Sequence, residues 1–358
     1  MFLGWTDIIR LSVWGARLRT LHVTSIVIPT LPRLLSTSPN LVNLQLHEIP
    51  MAGYFTPQVF ANVLSGASQL RSLSLHFLSF PPRRTFVGLP PPGGHYIVLP
   101  ALTSFKYRGI SKYLDNFVAR IGAPRLGDID ITLFSQPTMD VSQLGQFIER
   151  IGMNTTLSEV DIQASAHAIF IFFKNSSTSP PFRLQISCKQ LDWQLSSMAQ
   201  VCTKFSPFVF GVQHLVFTTN DWSSGQDDVN GEQWLQLIRS FGGARTLSVA
   251  GELATGLLRA LRPADEGYTT NTLVLPALRN LRVQKPMVSD SPLWKAARSL
   301  VTSRGLSCRL NDSELQLIDS ELQVQCHICN TGFTPLKLKE HLVAQHARKI
   351  ACSYCSDS

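Results

Sequence analysis

The six-residue pattern apolar-x-x-apolar-x-apolar, plainest at Leu70-Arg71-Ser72-Leu73-Ser74-Leu75, recurs about ten times along the chain. The copies begin at Leu18, Leu41, Leu70, Leu102, Leu126, Leu157, Pro181, Val212, Ala244 and Leu278, in steps of 23 to 34 residues. Apolar residues alternating with polar ones suit a short strand, whose successive side chains point to opposite faces. A motif recurring at this period predicts stacked units that bury a continuous core only when placed side by side.

Between the strands the apolar period lengthens to that of a helix. Ile110, Tyr113, Leu114, Phe117, Val118 and Ile121 fall on one helical stripe ended by Gly122. Val141, Leu144, Phe147, Ile148 and Ile151 repeat the stripe before Gly152, as do Trp234, Ile238 and Phe241 before Gly242. The expected unit is strand, loop, helix, loop.

The segments LVNLQL, LRSLSL, LSEVDI and LRNLRV, with amphipathic helices between them, resemble leucine-rich repeats. The spacing, and phrases such as LVLPALRNLRV, most resemble the repeat region of fungal F-box and leucine-rich-repeat proteins, over roughly residues 15 to 310. The resemblance implies an α/β solenoid with a curved parallel sheet whose concave face receives a protein partner. In that family the partner is a substrate of a cullin-type ubiquitin ligase. The Asn that usually follows the strand is absent, and the residues before Leu18 carry no F-box, so the adaptor role follows from analogy of fold.

Two insertions interrupt the spacing. Pro81 to Pro100 is rich in Pro and Gly and carries Arg83, Arg84, Phe86, His95 and Tyr96, and Asn220 to Gly231 carries Asp221, Trp222, Asp227 and Asp228. Both read as surface loops. After the tenth strand, Pro292 to Ser303 predicts a helix, and Leu306, Cys308 and Leu310 alternate as a final edge strand. Asn311 to Gln325, with Asp312, Glu314, Asp319 and Glu321, predicts a short helix or a linker. The expected division is a repeat domain over 1–310, an acidic linker over 311–324 and a small separate domain over 325–358.

Composition refines this picture. At 358 residues and 44% hydrophobic, the chain can bury a large core. Its net charge of +8 is spread along the sequence and mostly solvates the surface. Asp7 and Arg10 interrupt the apolar start, so no secretory signal is expected there. The apolar run Ala168 to Phe173 is far shorter than the ~20 residues a bilayer requires. An intracellular protein, in cytoplasm or nucleus, is therefore expected, with its seven cysteines reduced or metal-bound and the sequons at Asn154, Asn175 and Asn311 unused.

The sharpest chemistry lies near the C-terminus. Cys326-x-x-Cys329, eleven residues, then His341-x-x-x-x-His346 supplies two thiolates and two imidazoles, a set that can close one tetrahedral zinc site. Phe333 and Leu338 lie where a ββα finger keeps its core, and Thr334-Pro335 is a good helix start. The stretch resembles a C2H2 zinc finger one residue shorter than usual between Phe333 and Leu338. Of the positions that would read bases, Thr334, Lys337 and Glu340, only Lys337 suits a guanine. A structural or protein-binding finger is the first reading. The alternative is a nucleic-acid-associated finger protein, supported by the basic balance and by Lys337, Lys339, Arg348 and Lys349. Cys352-x-x-Cys355 could be a remnant, half of a site shared between chains, or part of a site with Cys326 and Cys329.

The sequence holds neither a phosphate-cradling glycine loop nor a nucleophile elbow, and the expected function is a non-enzymatic interaction scaffold. Aligning the repeats stacks Asp128 beside Glu159 and Asp130 beside Asp161 on the open face, with Ser104 and Lys106 on one side and Arg183 and Gln185 on the other. These four carboxylates are either solvated and offset by those neighbours or await a basic part of a partner. His47, His76 and Arg108, stacked on the earlier repeats, would face an acidic or aromatic part.

Overall fold

A computed structural model describes residues 17–25, 27, 30–78, 96–134, 136–152, 157–165, 167–175, 182–188, 191–219, 231–251, 254–262, 274–284, 291–310, 313–318, 321–325 and 332–333. The chain divides into two compact units, Met1–Val212 and Gln213–Ser358.

In the first unit, strands β1 (Thr20–Thr24), β2 (Asn43–Ile49), β3 (Ser72–Phe77), β5 (Ser104–Gly109) and β7 (Asp128–Phe134) pair in parallel in that order. The short strand β4 (Ile97–Val98) pairs separately with β6 (Ile121–Gly122). Helices α1 (Leu31–Ser36), α2 (Pro57–Leu64), α3 (Ser111–Val118) and α4 (Ser142–Arg150) pack one on the next. Local chemistry starts α2: Thr56 accepts the Val59 N–H ahead of Pro57. One boundary differs from the sequence reading. Helix α3 stops at Val118, and Ile121-Gly122 forms a strand because the backbone of Ile97 and Leu99 hydrogen-bonds there instead.

The register explains the core. Leu44, Leu73, Phe105 and Ile129 form one buried row across β2, β3, β5 and β7, and Leu46, Leu75, Tyr107 and Ile131 form the next. Helix residues such as Phe60, Leu114, Phe117, Leu144 and Phe147 are buried with them. Every strand supplies a residue to each row, so the hydrophobic gain belongs to the stack rather than to any single unit.

The parallel order is broken after β7. The strands β8 (Leu157–Ser165), β9 (Ala168–Asn175) and β10 (Phe182–Ser187) form an antiparallel meander whose last member, β10, pairs with β7. The apolar run Ala168 to Phe173 is thus a strand, with Ile169, Ile171 and Phe173 in the core. Only two residues separate β8 from β9, too few for the helical crossover a parallel pair needs, so the chain reverses. Charge favours the same outcome: beside β7, β8 would set Asp161 against Asp130, whereas β10 sets Arg183 there. Helices α5 (Leu191–Lys204) and α6 (Ser206–Val209) follow.

In the second unit, β11 (His214–Thr219), β12 (Thr246–Ala250), β13 (Asn280–Val283) and β14 (Ser307–Leu310) are parallel, with α7 (Gly231–Arg239), α8 (Ala254–Ala260) and α9 (Pro292–Arg304) between them. Leu215, Leu247, Leu281 and Cys308 share one buried row. Helix α9 is capped by Ser291 ahead of Pro292 and ends at Gly305 in the left-handed conformation, φ 61°. The expected edge strand is not an edge. Where a helix or linker was expected, β15 (Ser313–Ile318) pairs antiparallel with β14, β16 (Glu321–Gln325) pairs with β15, and β17 (Gly332–Phe333) pairs with β16.

Candidate functional site

The residues between the core positions of the first unit's strands build its outward sheet face. Register carries one row from His22 through Gln45 and Ser74 to Lys106, Asp130 and Arg183, and a second from His76 through Arg108 and Thr132 to Gln185. Adjacent members of a row lie about 4.8 Å apart along the sheet, so their side chains interact directly.

The acidic residues do not form the expected ladder. Asp128 and Asp130 lie on β7 beside β10, while Glu159 and Asp161 lie on β8, with β10 and β9 intervening. Each carboxylate meets a partner, with Glu159 and Asp161 sharing one. Ser104 Oγ donates to Asp128 at 2.7 Å, and Arg183 Nη1 is 3.7 Å from Asp130. Lys174 Nζ donates to Glu159 at 2.9 Å and to Asp161 at 3.3 Å. Burial would lower the Lys174 pKa, but the Glu159 hydrogen bond and the Asp161 charge outweigh it and raise the value. The repulsion expected between stacked acids is therefore absent.

The histidines do come together. The His47 and His76 rings stack at 4.3 Å between centroids and 7° between planes, and His22 meets His47 edge-on at 5.2 Å. Ser74 Oγ lies within hydrogen-bond distance of both stacked rings, 2.9 Å from His47 Nε2 and 3.3 Å from His76 Nε2. Partial burial lowers the His47 pKa, helped by His22 and opposed by Glu48. Burial, then His47, Arg108 and Lys106, push His76 down to about 4, so its ring is neutral at pH 7. Lys106 and Arg108 themselves are exposed, and Arg108 lies 6.0 Å above the Phe134 ring.

The aromatic part of the face was not anticipated. On β9, Phe170, Phe172 and Lys174 alternate with the core residues and face outward. The two rings are 6.2 Å apart and nearly parallel, and the Arg183 guanidinium lies 5.2 Å from one and 5.6 Å from the other. Arg183 thus joins the Phe pair to Asp130, with its Nε enclosed and without a hydrogen-bond partner. The run Ala168 to Phe173 is apolar throughout, so it signalled a short strand but not which of its aromatics would face outward.

Cys326, Cys329, His341 and His346, together with Cys352 and Cys355, lie outside the described residues. The insertion residues Arg83, Arg84, Phe86 and His95, and Asp221, Trp222, Asp227 and Asp228, lie outside them too. Among the described residues no three His, Cys, Asp or Glu side chains converge as metal ligands, and no helix is long and apolar enough to cross a membrane. Cys202 and Cys308 are buried, and burial pushes the Cys308 thiol up to about 12, as befits core residues.

No family model matches the sequence, and no curated protein matches it. Among solved structures, the chain is similar to the leucine-rich repeat-containing protein LegL7 from Legionella pneumophila, at 11% identity and a TM-score of 0.33, with 97% of each chain covered. So slight a likeness carries nothing about function.

Proposed function

We propose that the first unit is a non-enzymatic protein-interaction scaffold whose partner binds the outward sheet face around β5, β7, β10 and β9. One observation carries the reading: Phe170 and Phe172 stand side by side on that face, with Arg183 over both rings and ion-paired to Asp130. Paired aromatics with an arginine oriented by its own ion pair offer much contact area for little conformational entropy, as the centres of protein interfaces do. Both rings lie outside the core row of Ile169, Ile171 and Phe173 and are only half-buried, which leaves part of each ring open to a partner. The test compares proteins captured by the wild-type chain, by a Phe170→Ser/Phe172→Ser variant and by Val59→Ser, a change on the exposed side of α2. Specific capture should be lost in the first variant and kept in the second. An unchanged set of captured proteins in the double variant overturns the reading.

The finer form, a substrate receptor like the F-box and leucine-rich-repeat proteins, rests on the resemblance of the repeats. Co-purification with a cullin-type ligase tests it, and its absence leaves the general scaffold.

We infer further that Cys326, Cys329, His341 and His346 bind one zinc ion in a structural finger. The donor set suits zinc, and the antiparallel pairing of Val324 with Phe333 and Gln325 with Gly332 brings the residues flanking Cys326-x-x-Cys329 together. Zinc there would supply folding free energy rather than catalysis. Mass spectrometry under native conditions should find one zinc per chain, lost in Cys326→Ser and in His341→Ala. A finger serving nucleic acid would instead show affinity that falls steeply with salt.

A further inference from the structure

Charge on the outward face of the first unit is unevenly balanced. Asp130, Glu159 and Asp161 are ion-paired to Arg183 and Lys174, and Asp128 accepts from Ser104. Lys106 and Arg108, two residues apart on β5 and both exposed, have no carboxylate partner among the described residues, because Asp130, the register neighbour of Lys106, pairs with Arg183. Beside them lies the stack of His76, His47 and His22. A cationic pair thus adjoins three imidazoles across four strands, a width of about 14 Å at the usual strand spacing.

We propose that Lys106, Arg108 and the His47–His76 stack form the docking point for an acidic segment of the partner, three or four residues long and rich in Asp or Glu. This deepens the scaffold reading above and rests on it. Charge complementarity identifies the occupant, since the side chains without a carboxylate partner at this point are the cations Lys106 and Arg108. The same face argues against a nucleic-acid strand. A phosphate backbone continuing past Arg108 would meet Asp128, Asp130, Glu159 and Asp161, whereas a short acidic segment ends before them. Docked carboxylates would also answer the positive charge around His76, which lies among His47 on β2, His22 beyond it and Lys106 and Arg108 on β5, with Glu48 next to His47. Proton uptake by His76 should then accompany binding, and affinity should increase as pH falls toward the ordinary histidine range. Complementarity of this kind governs orientation and rate of encounter more than affinity.

The test uses the full chain, a fluorescent peptide containing four Glu and Asp residues, its Gln and Asn counterpart, and a short DNA duplex, at low salt. The acidic peptide should bind at least tenfold tighter than its neutral counterpart and tighter still at pH 5.5 than at pH 7.5. Lys106→Gln/Arg108→Gln should lose that tenfold preference with an unchanged melting temperature, and Arg108→Lys should retain most of it. Equal binding of acidic and neutral peptides, equal binding by the Gln variant, or tighter binding of the duplex overturns the proposal. If it fails while Phe170→Ser/Phe172→Ser still abolishes partner capture, the scaffold reading stands with a different contact. If that capture is also unaffected, both fall.

Discussion

Asp115, on helix α3, accepts a hydrogen bond from the backbone N–H of Leu144 at 2.9 Å, and another from Gln143 at 2.7 Å, at the start of helix α4. One repeat thereby caps the helix of the next, and a buried carboxylate satisfies two of the N–H groups that a helix start leaves open. Asp115→Ala should destabilise the first unit by about 1–3 kcal/mol in denaturant unfolding, since it orphans both donors.

The same residue predicts a pH slope. Burial, opposed by the Leu144 and Gln143 N–H groups, raises the Asp115 pKa from 3.8 to about 6. A raised acid holds its proton more tightly in the fold, so its contribution is largest below pH 4 and is lost as pH rises to about 6. Asp115→Asn keeps an acceptor but does not titrate, and melting curves of this variant between pH 4 and 7 should lack that decline.

His76 predicts the opposite sign. Its pKa of about 4 lies below the ordinary 6.5, so the fold favours the neutral ring. Stability from this site is present above pH 6.5 and lost as pH falls toward 4. His76→Gln should remove this acid sensitivity, and a melting profile unchanged from wild type would show that the histidine stack does not titrate with folding.

Gly109 sits where a side chain cannot. A methyl group there would meet Tyr107 Oη at 2.5 Å and a Phe77 ring carbon at 2.8 Å, and Tyr107 is held by donating to the Ile110 carbonyl at 2.8 Å. Gly109→Ala should cost about 1–3 kcal/mol by overpacking. Combined with Tyr107→Phe, which removes the first atom met, the loss should be less than the sum of the two single changes, as a double-mutant cycle would measure.

The C-terminal strands predict an effect of truncation. Because β15 pairs with β14 inside the second unit, deletion of residues 311–358 exposes a ladder edge and should lower that unit's melting temperature. An unchanged melt would mean that the strands add no stability, as expected of a linker.

How much of this was legible before folding follows from the reach of each signal. The recurring strand motif and the helical stripes through Phe117 and Phe147 are local patterns, and the burial of Leu44, Leu73, Phe105 and Ile129 in one row follows from them, because alternation decides which side of a strand seeks the core. The run from Leu157 to Asp161 carries the same alternation, so it predicted another parallel repeat as well as it could have predicted a hairpin. Which strand lies beside β7 is a matter of topology, decided by a two-residue connection and by Arg183 answering Asp130 better than Asp161 would. That one rearrangement divided the acidic ladder, leaving Asp130 with Arg183 and Glu159 and Asp161 with Lys174, and brought Phe170, Phe172 and Arg183 together. The histidine stack, in contrast, joins sequential parallel strands, and repeat alignment suffices to bring His47 beside His76. The sequence by itself thus determined the core faces and the neighbours within the regular repeats. Tertiary structure alone decided the charge pairing of the outward face, because ion pairs between strands depend on strand order, which no single strand encodes.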